Sequence, residues 1–431
     1  MKRVLDTLGA LTKANLAIAF SLALIPAARA ADEQYVGKVP RLRVIVQSEP
    51  SLQYVQSVQK EFEDKWKTKI EFVTLGENER RARSRLDAST GAGSFQIYYI
   101  DEANVAEFAA AEWVVPLLDY YPKEYDYDDF LPGRRAVATI DGKPYFAPIL
   151  GGGDVFIYRK DILQQKAIPV PKTLDELIAA VQKVNNPPEV YGFDVRGQRG
   201  SGMNVWRWTP YFRAAGGKWF NGDKPAFNSE AAIKATQTYL LLLKFSPPGA
   251  STGNWSDAVE AFRSGQVALM IESDPLGLYM LDKSKSQVSD KVGFAAPPDP
   301  LPSAGYAHGL AISAKGSPDE ATRRVAAEFI GWATSKEMEA RRMKAGVISD
   351  FARRSTLEDP NFKKEVPADY IAALQAAAPK TDLLIWRNAQ WPALGDQLGL
   401  VLEQIFTGQR SDLKGAFDEV AQFATDQLEN K

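Results

Sequence analysis

The chain has 431 residues, with 52 lysines and arginines, 54 aspartates and glutamates, one histidine and no cysteine. This nearly balanced charge argues against a nucleic acid or a membrane surface as the partner, because both attract a positive excess. The lack of cysteine excludes disulfides and thiolate metal sites, and a single histidine excludes a multi-histidine metal site. We therefore expect a globular protein that needs no metal and no cofactor.

The first 30 residues have the three parts of a secretory signal peptide. Lys2, Arg3 and Lys13 form a positive region, residues 16–25 an apolar core, and residues 28–30 a small-x-small cleavage site. The apolar run is shorter than the roughly 20 residues of a membrane-spanning helix. We expect cleavage at this site and, since no cysteine is available for a lipid anchor, a freely diffusing periplasmic protein.

Strands and helices alternate in the first part of the predicted mature chain. Strands are predicted over 42–47, 70–73 and 95–100, and helices over about 51–66 and 78–88. This alternation indicates βαβ units and a mostly parallel sheet, which binds ligands beyond the carboxyl ends of its strands. Capping or solvation of a loop is the alternative role for each polar residue there. The candidate ligand contacts at these ends are Gln47, Glu49, Glu77 and Asp101.

The run from Glu79 to Arg85 is locally basic. Because Glu77 and Asp87 flank it, we predict a solvated helix face rather than a site for a polyanion.

Three consecutive glycines, Gly151–Gly153, lie within the segment 142–161. The stretch Val155–Tyr158 that follows is β-branched and aromatic, which predicts a strand. A phosphate-binding loop would require a helix directly after the glycines. We interpret the glycines as a hinge-like crossing where the backbone bends or another group approaches closely.

A glycine-rich lead over 197–202 precedes Asn204, Trp206 and Trp208 at a predicted helix start. Sugar sites combine an aromatic ring, which stacks on the C–H face of a pyranose, with planar polar groups that bind hydroxyls. Core packing is the alternative for both tryptophans. We assign Trp208 to the core, and Trp206 with Asn204 to a ligand site.

Two groups of motifs resemble family 1 extracellular solute-binding proteins, the sugar-capturing components of ABC importers. The first group is the Gly-Lys-Pro-Tyr-x-Ala-Pro pattern over 142–148 with Ile-Tyr-Arg-Lys-Asp over 157–161. The second comprises residues 255–258 and 261–268 with Met270. In that family the first group marks a crossing between two lobes.

The resemblance covers residues 41–425, and its details are most similar to the mannitol- and sorbitol-binding branch. The chain departs from that branch at Gly152–Asp154, where the branch has an acidic residue and two serines. Ser201 and His308 replace tryptophans, and Gln390 replaces a glutamate. These positions are expected ligand contacts, so the resemblance implies the transport role and leaves the substrate open.

The resemblance implies a periplasmic-binding-protein-like α/β fold, with two α/β lobes joined by a multi-crossing hinge and the ligand cleft between them. The expected parts are a signal peptide over 1–30, lobe 1 over 31–151 and 298–337, and lobe 2 over 152–297 and 338–431.

The implied function is to capture a sugar, polyol or related small carbohydrate and to deliver it to the transmembrane permease subunits of an ABC transporter. We expect a monomer. In relatives the position of Trp206 contacts sugar, the loop with Asp274 faces the ligand, and Arg353 resembles a Pro-x-Arg position in which Phe351 replaces the proline. The full set of predicted ligand contacts is Gln47, Glu49, Glu77, Asp101, Asp154, Asn204, Trp206, Asp274, His308 and Arg353.

Two enzymatic hypotheses compete with binding. Residues 249–253 match the Gly-x-Ser-x-Gly pattern of a nucleophile elbow, but a leucine-rich helix and two prolines precede them where a strand is required. A secreted carbohydrate-active hydrolase that uses a carboxylate pair is the remaining alternative, because the separation of the carboxylates decides such a mechanism. We predict binding without catalysis.

Overall fold

The structure, a computed structural model, describes residues 33–429, so the predicted signal peptide lies outside the described residues. Within 33–429 no helix is long and apolar enough to cross a membrane. The strands are β1 (Arg41–Gln47), β2 (Lys69–Leu75), β3 (Ile97–Asp101), β4 (Thr139–Ile140), β5 (Lys143–Pro144), β6 (Ala147–Gly152), β7 (Asp154–Arg159), β8 (Tyr191–Asp194), β9 (Phe220–Asn221), β10 (Lys224–Pro225), β11 (Val267–Ser273), β12 (Val292–Ala295), β13 (Ser303–Ala304), β14 (Tyr306–Ile312) and β15 (Thr381–Asp382).

The α-helices are α1 (Pro50–Val58), α2 (Lys60–Trp66), α3 (Glu77–Thr90), α4 (Val105–Ala110), α5 (Pro132–Ala138), α6 (Lys160–Gln165), α7 (Leu174–Val184), α8 (Asn204–Ala214), α9 (Glu230–Leu243), α10 (Trp255–Arg263), α11 (Asp274–Tyr279), α12 (Glu320–Ala333), α13 (Lys336–Lys344), α14 (Arg354–Glu358), α15 (Pro360–Glu365), α16 (Ala368–Ala377), α17 (Trp391–Phe406) and α18 (Leu413–Glu429).

The first sheet has five strands in the order β2-β1-β3-β14-β6. β1 pairs in parallel with β2 and β3, as the alternating pattern predicts, and β14 is antiparallel to β3 and β6. Because of these directions, the carboxyl ends of β1, β2, β3 and β6 and the start of β14 lie at one edge. His308 pairs with Asp101 there, and Tyr306 pairs with Gly152.

The second sheet has four strands in the order β12-β7-β11-β8. β7 is antiparallel to β11, so Ser273 at the end of β11 pairs with Asp154 at the start of β7. Since β6 ends at Gly152 and β7 begins at Asp154, the chain passes from one sheet to the other at Gly153. The functional edges of the two sheets therefore face each other across this crossing.

Close approach explains the glycines at the crossing. A Cβ atom on Gly152 would lie 1.8 Å from Oδ1 of Asp274, and one on Gly153 would lie 2.4 Å from Oγ of Ser303. No side chain fits at either position without displacing its neighbour, so the packing of the crossing requires glycine.

The largest helical cluster lies beside the second sheet, where α8 packs on α9 and α17, and α17 packs on α18. Trp208 is fully buried there, stacks on Phe212 and Phe417, and donates a hydrogen bond from Nε1 to Oγ1 of Thr236 at 3.0 Å. A buried indole N–H needs such a partner. The assignment of Trp208 to the core is confirmed.

Candidate ligand-binding site

A small cavity lies between the facing edges of the two sheets. Its volume is about 40 Å³, and since one water molecule needs roughly 10–15 Å³, it admits only small groups. The two sides also touch at its rim, where Nδ2 of Asn78 donates to the backbone oxygen of Arg199 at 3.0 Å. The structure therefore shows a closed arrangement. The lining residues are Glu77, Arg81, Glu102, Arg196, Gly202, Trp206, Ser273, Tyr306 and His308.

Asp101 holds two arginines of α3 in place from the end of β3. Its Oδ2 accepts hydrogen bonds from Arg80 at 2.5 Å and from Nε of Arg81 at 2.9 Å. Burial opposes ionisation of Asp101, but the charges of Arg81 and Arg80 outweigh it and lower the pKa of the carboxyl. Asp101 is fully buried and does not line the cavity. It acts by orienting Arg81, which does.

Arg80 and Arg81 show that the predicted solvated helix face is wrong at these two positions. The side chain of Arg80 is fully buried, and that of Arg81 is 13% exposed. Both turn inward because their carboxylate partners lie at the carboxyl end of β3 and at the start of α3. Nη1 of Arg81 lies 2.7 Å from Oε1 of Glu77, one helical turn earlier.

His308 and Glu102 complete the first-sheet side of the cavity. Nε2 of His308 lies 3.5 Å from Oε2 of Glu102, and its Nδ1 lies 3.3 Å from the hydroxyl of Tyr99. Burial lowers the pKa of His308, but the charge and hydrogen bond of Glu102, together with the charges of Asp101 and Glu77, raise it overall. Glu102 also contacts Arg81 at 3.7 Å, so the charges on this side form one network.

Arg196 and Glu272 form the corresponding ion pair on the second-sheet side. Nε of Arg196 donates to Oε1 of Glu272 at 2.5 Å, and Nη1 donates to the backbone oxygen of Gly202 at 3.1 Å. Burial opposes ionisation of Glu272, but Arg196 and Arg207 together lower its pKa. The pair fixes the loop before α8 against the end of β11.

Trp206 lies in the first turn of α8 and is 5% exposed. Its ring meets the ring of Tyr306 edge to face, with centroids 5.9 Å apart, and the guanidinium of Arg207 lies 5.9 Å from its centroid. The two aromatic rings thus provide the apolar surface of an otherwise charged cavity.

Glu49 and Gln47 lie beside the cavity, behind the residues that line it. Nε2 of Gln47 donates to Oε1 of Glu49 at 2.7 Å, and the hydroxyl of Tyr279 lies 3.4 Å from Oε2. Burial, reinforced by the charge of Asp350, raises the pKa of Glu49 from 4.5 to about 8. At neutral pH this carboxyl is therefore mostly protonated.

Asp154 and Asp274 line a second, larger cavity of about 530 Å³ at the crossing. Tyr306 lines both cavities and so lies between them. Asp154 accepts from Nη2 of Arg207 at 2.6 Å. Burial raises the pKa of Asp274 to about 7, and its Oδ1 has no hydrogen-bond partner within residues 33–429.

Asn204 and Arg353 are both fully buried, and their hydrogen bonds go to the protein itself. Nδ2 of Asn204 donates to the backbone oxygens of Gly197 and Gly399, at 3.2 and 2.8 Å, and so anchors the loop before α8. Arg353 donates to three backbone oxygens, those of Tyr125, Asp126 and Thr334. Neither lines the cavity described above.

Comparison with known proteins identifies the family. Residues 47–340 match the profile of the bacterial extracellular solute-binding proteins. This chain belongs to that family. The mannitol-binding protein of Pseudomonas aeruginosa strain PAO1 is 28% identical to it over 374 residues, which cover 79% of this chain and 82% of the relative.

Two crystal structures resemble this solute-binding protein with a TM-score of 0.82 and 25% identity. One, from Agrobacterium radiobacter K84, is a complex with ribitol and matches 90% of this chain and 98% of its own. The other, from Agrobacterium vitis S4, contains D-mannitol and matches 91% and 99%. The predicted family and the two-lobed periplasmic-binding-protein-like fold are confirmed.

The structure of this solute-binding protein brings three predicted contacts, Glu77, Trp206 and His308, to the small cavity. Arg81, Arg196 and Tyr306 also line it and were not predicted from the sequence. A signal existed for Arg81, which follows Glu77 by one helical turn at a helix start just after β2. No local signal exists for Arg196 or Tyr306, because their positions depend on how the two sheets face each other.

The raised pKa of Glu49 predicts a pH dependence of stability. Between about pH 4.5 and 8 the native protein binds more protons at Glu49 than the unfolded chain does, so the free energy of unfolding falls as pH rises. Asp350, Glu77 and His308 act on the same carboxyl. We expect Glu49→Gln to flatten this decline and to be more stable than the parent at pH 8, as measured by urea denaturation across pH 5–9.

The exposed Glu79→Gln on α3 is the matched control, because it removes the same charge from a solvated position. Identical pH profiles for the two variants would show that Glu49 does not carry this dependence.

Proposed function

We propose that this solute-binding protein captures a polyol or a small sugar in the periplasm and delivers it to the permease of an ABC transporter. The observation that carries the proposal is the set of charged side chains around the rings of Trp206 and Tyr306 where the two sheets meet. Because the cavity of about 40 Å³ is smaller than an alditol, the side chains that line it rearrange when the ligand binds. The names of the relatives support a polyol, since one is a mannitol-binding protein and two contain ribitol or D-mannitol.

The residues that line the cavity can form hydrogen bonds with a chain of hydroxyl groups. Glu77 and Glu102 offer acceptors, while Arg81 and Arg196 offer donors. A hydroxyl group both donates and accepts, so neighbouring hydroxyls satisfy such a mixed set, and hydrogen bonds to charged partners are the strong ones. Trp206 supplies the apolar contact for the carbon chain.

Ligand capture would couple to lobe closure, because the cavity takes its walls from both sheets. A ligand that touches both sides stabilises the closed arrangement relative to an open one. The contact of Gly202 with Glu77 and Arg81 belongs to the closed arrangement. We further propose that the exported protein is a monomer and releases its ligand chemically unchanged.

Calorimetry with D-mannitol, D-sorbitol and ribitol tests the function, and Trp206→Ala tests the site. We expect one molecule of at least one alditol to bind per protein and to be recovered intact. Loss of the aromatic anchor should weaken binding by about thirtyfold or more, or about 2 kcal/mol. Trp255→Ala, a half-buried tryptophan at the start of α10, should bind like the parent.

Recovery of a hydrolysed ligand from glycoside substrates would support the hydrolase alternative instead. If the folded Trp206→Ala variant binds the alditol with the affinity of the parent protein, Trp206 is not part of the binding site.

Gly202→Ala tests closure. Its Cβ would lie 2.1 Å from Oε1 of Glu77 and 2.5 Å from Nη1 of Arg81, so the loop before α8 could no longer seat against α3. We expect at least tenfold weaker alditol binding, measured by calorimetry, with little change in the melting temperature of the ligand-free protein. Gly133→Ala is the control, since no atom lies within 4 Å of the added Cβ. Equal affinities for the two variants would contradict the closure mechanism.

A further inference from the structure

The hydroxyl group of Tyr279 bridges two carboxyl groups from the opposite side of the closed arrangement. Tyr279 ends α11, which packs on β7 and β11 of the second sheet, and Arg263 donates to its backbone oxygen at 2.8 and 3.0 Å. The hydroxyl lies 3.2 Å from Oδ1 of Asp350 and 3.4 Å from Oε2 of Glu49. One side chain of the second-sheet side therefore contacts both acids.

Both acids belong to the first-sheet side. Glu49 lies between β1 and α1, directly before the helix. Asp350 follows α13, which packs on α1, and its Oδ2 accepts a hydrogen bond from the backbone nitrogen of Ser51 at 2.8 Å. Glu49 is 6% exposed and Asp350 is 1% exposed. The two carboxyl groups are thus buried where the two sides meet, and Tyr279 covers them from the second.

The hydrogen-bond geometry requires a proton on one of these acids. The hydroxyl of Tyr279 carries one hydrogen and can donate it to one carboxylate only. Asp350 is the ionised acid, because the backbone nitrogen and the serine hydroxyl that also donate to it, at 2.8 and 2.9 Å, stabilise its charge. Glu49 has one other donor, Nε2 of Gln47 at 2.7 Å. The proton therefore lies on Oε2 of Glu49, which donates to the hydroxyl oxygen of Tyr279.

The electrostatic surroundings of Glu49 favour the same assignment. Asp350 and Glu77 raise the pKa of Glu49, in addition to burial, while His308 lowers it, and the resulting pKa is about 8. Burial also raises the pKa of the three neighbouring tyrosines well above its usual range, so they stay neutral. The titratable groups that face Glu49 are Glu77, Tyr99, Tyr279, Tyr306, His308 and Asp350.

Separation of the two sides removes the conditions that hold this proton. Tyr279 leaves with the second-sheet side, and water then reaches Glu49 and Asp350. A glutamate in water titrates near its ordinary pKa of 4.5. Between about pH 4.5 and 8 the closed arrangement therefore holds up to one proton more than an open one. A ligand that stabilises the closed arrangement takes this proton up from the solvent.

We propose that this protein takes up a proton at Glu49 each time it closes on a ligand, so that its affinity falls as the solution becomes more alkaline. The inference rests on the proposed function, because closure around the ligand buries the acid. Since the closed state holds the additional proton, affinity should fall by up to about tenfold per pH unit between about pH 4.5 and 8 and should level off at higher pH.

Calorimetry counts the protons directly. An alditol that binds, from D-mannitol, D-sorbitol and ribitol, is titrated into the protein at pH 6 in phosphate and in Mes, because the difference in heat between two buffers gives the protons taken up. We expect about one proton per ligand at pH 6. His308 contributes little there, since its ordinary pKa of 6.5 leaves it mostly protonated in solvent. Uptake should vanish at pH 9.5, where Glu49 is ionised in both arrangements.

Two variants assign the proton to its residue. Glu49→Gln keeps an acceptor for Gln47 and a donor for Tyr279 but does not titrate. It should reduce the uptake at pH 6 by about one proton, and its affinity should change much less than that of the parent between pH 5 and 8. Glu79→Gln removes the same charge from an exposed position of α3 and should take up as many protons as the parent.

If the parent takes up no proton at pH 6, or keeps its uptake at pH 9.5, the proton linkage is refuted while the proposed function stands, and this result needs no variant. Equal uptake by Glu49→Gln and the parent refutes it as well. If no alditol binds the parent at any pH, the proposed function itself fails, and the inference falls with it.

Discussion

The backbone at Gly152 and Gly153 runs so close to Asp274 and Ser303 that no side chain fits between them. The backbone oxygen of Gly153 accepts from the nitrogen of Asp274 at 2.8 Å, and the nitrogen of Asp154 donates to Oγ of Ser303 at 2.7 Å. This contact fixes how the end of the first sheet meets the start of the second. How the two walls of the cavity face each other depends on it.

The link from the crossing to the site passes through one ion pair. Asp154, directly after the crossing, binds Arg207 on α8 at 2.6 Å, and the preceding residue on that helix is Trp206. The crossing therefore determines the position of the Trp206 ring in the cavity. On the opposite side, Asp101 places Arg81 in the same way. Neither carboxylate lines the small cavity: Asp101 binds Arg81, which does, and Asp154 binds Arg207, whose neighbour Trp206 does.

The sequence predicted features that depend on local order along the chain. The βαβ alternation, the position of Glu77 after a strand end and the close approach at the glycines follow from periodicity and spacing. The assignment of Trp206 to a ligand site came from its residue type and from the family resemblance. Inward-facing arginines were missed because their partners are distant: Asp101 lies 20 residues after Arg81. Without knowledge of those partners, a run of charged residues is predicted to be a solvated helix face.

Asn204 and Arg353 are predicted ligand contacts whose side chains donate to the backbone of the protein itself. A polar side chain predicted from its type can already be used by backbone carbonyls, and here both residues donate to carbonyls from distant parts of the chain. Only the three-dimensional arrangement shows whether a donor already has a hydrogen-bond acceptor within the protein. The same arrangement shows that Nδ2 of Asn104 and Oε2 of Glu107 have no hydrogen-bond partner within residues 33–429.

Arg81 lines both the small cavity and a wider groove of about 730 Å³ that is bounded by α3, α4, α17 and α18. A group that fills either space alters the position and charge environment of the side chain that the other space uses. Two fragments that each occupy one space will therefore not bind independently, and the binding free energies of the fragments will not add to that of the joined molecule. A substitution at Arg81 therefore changes the surface of both spaces at once.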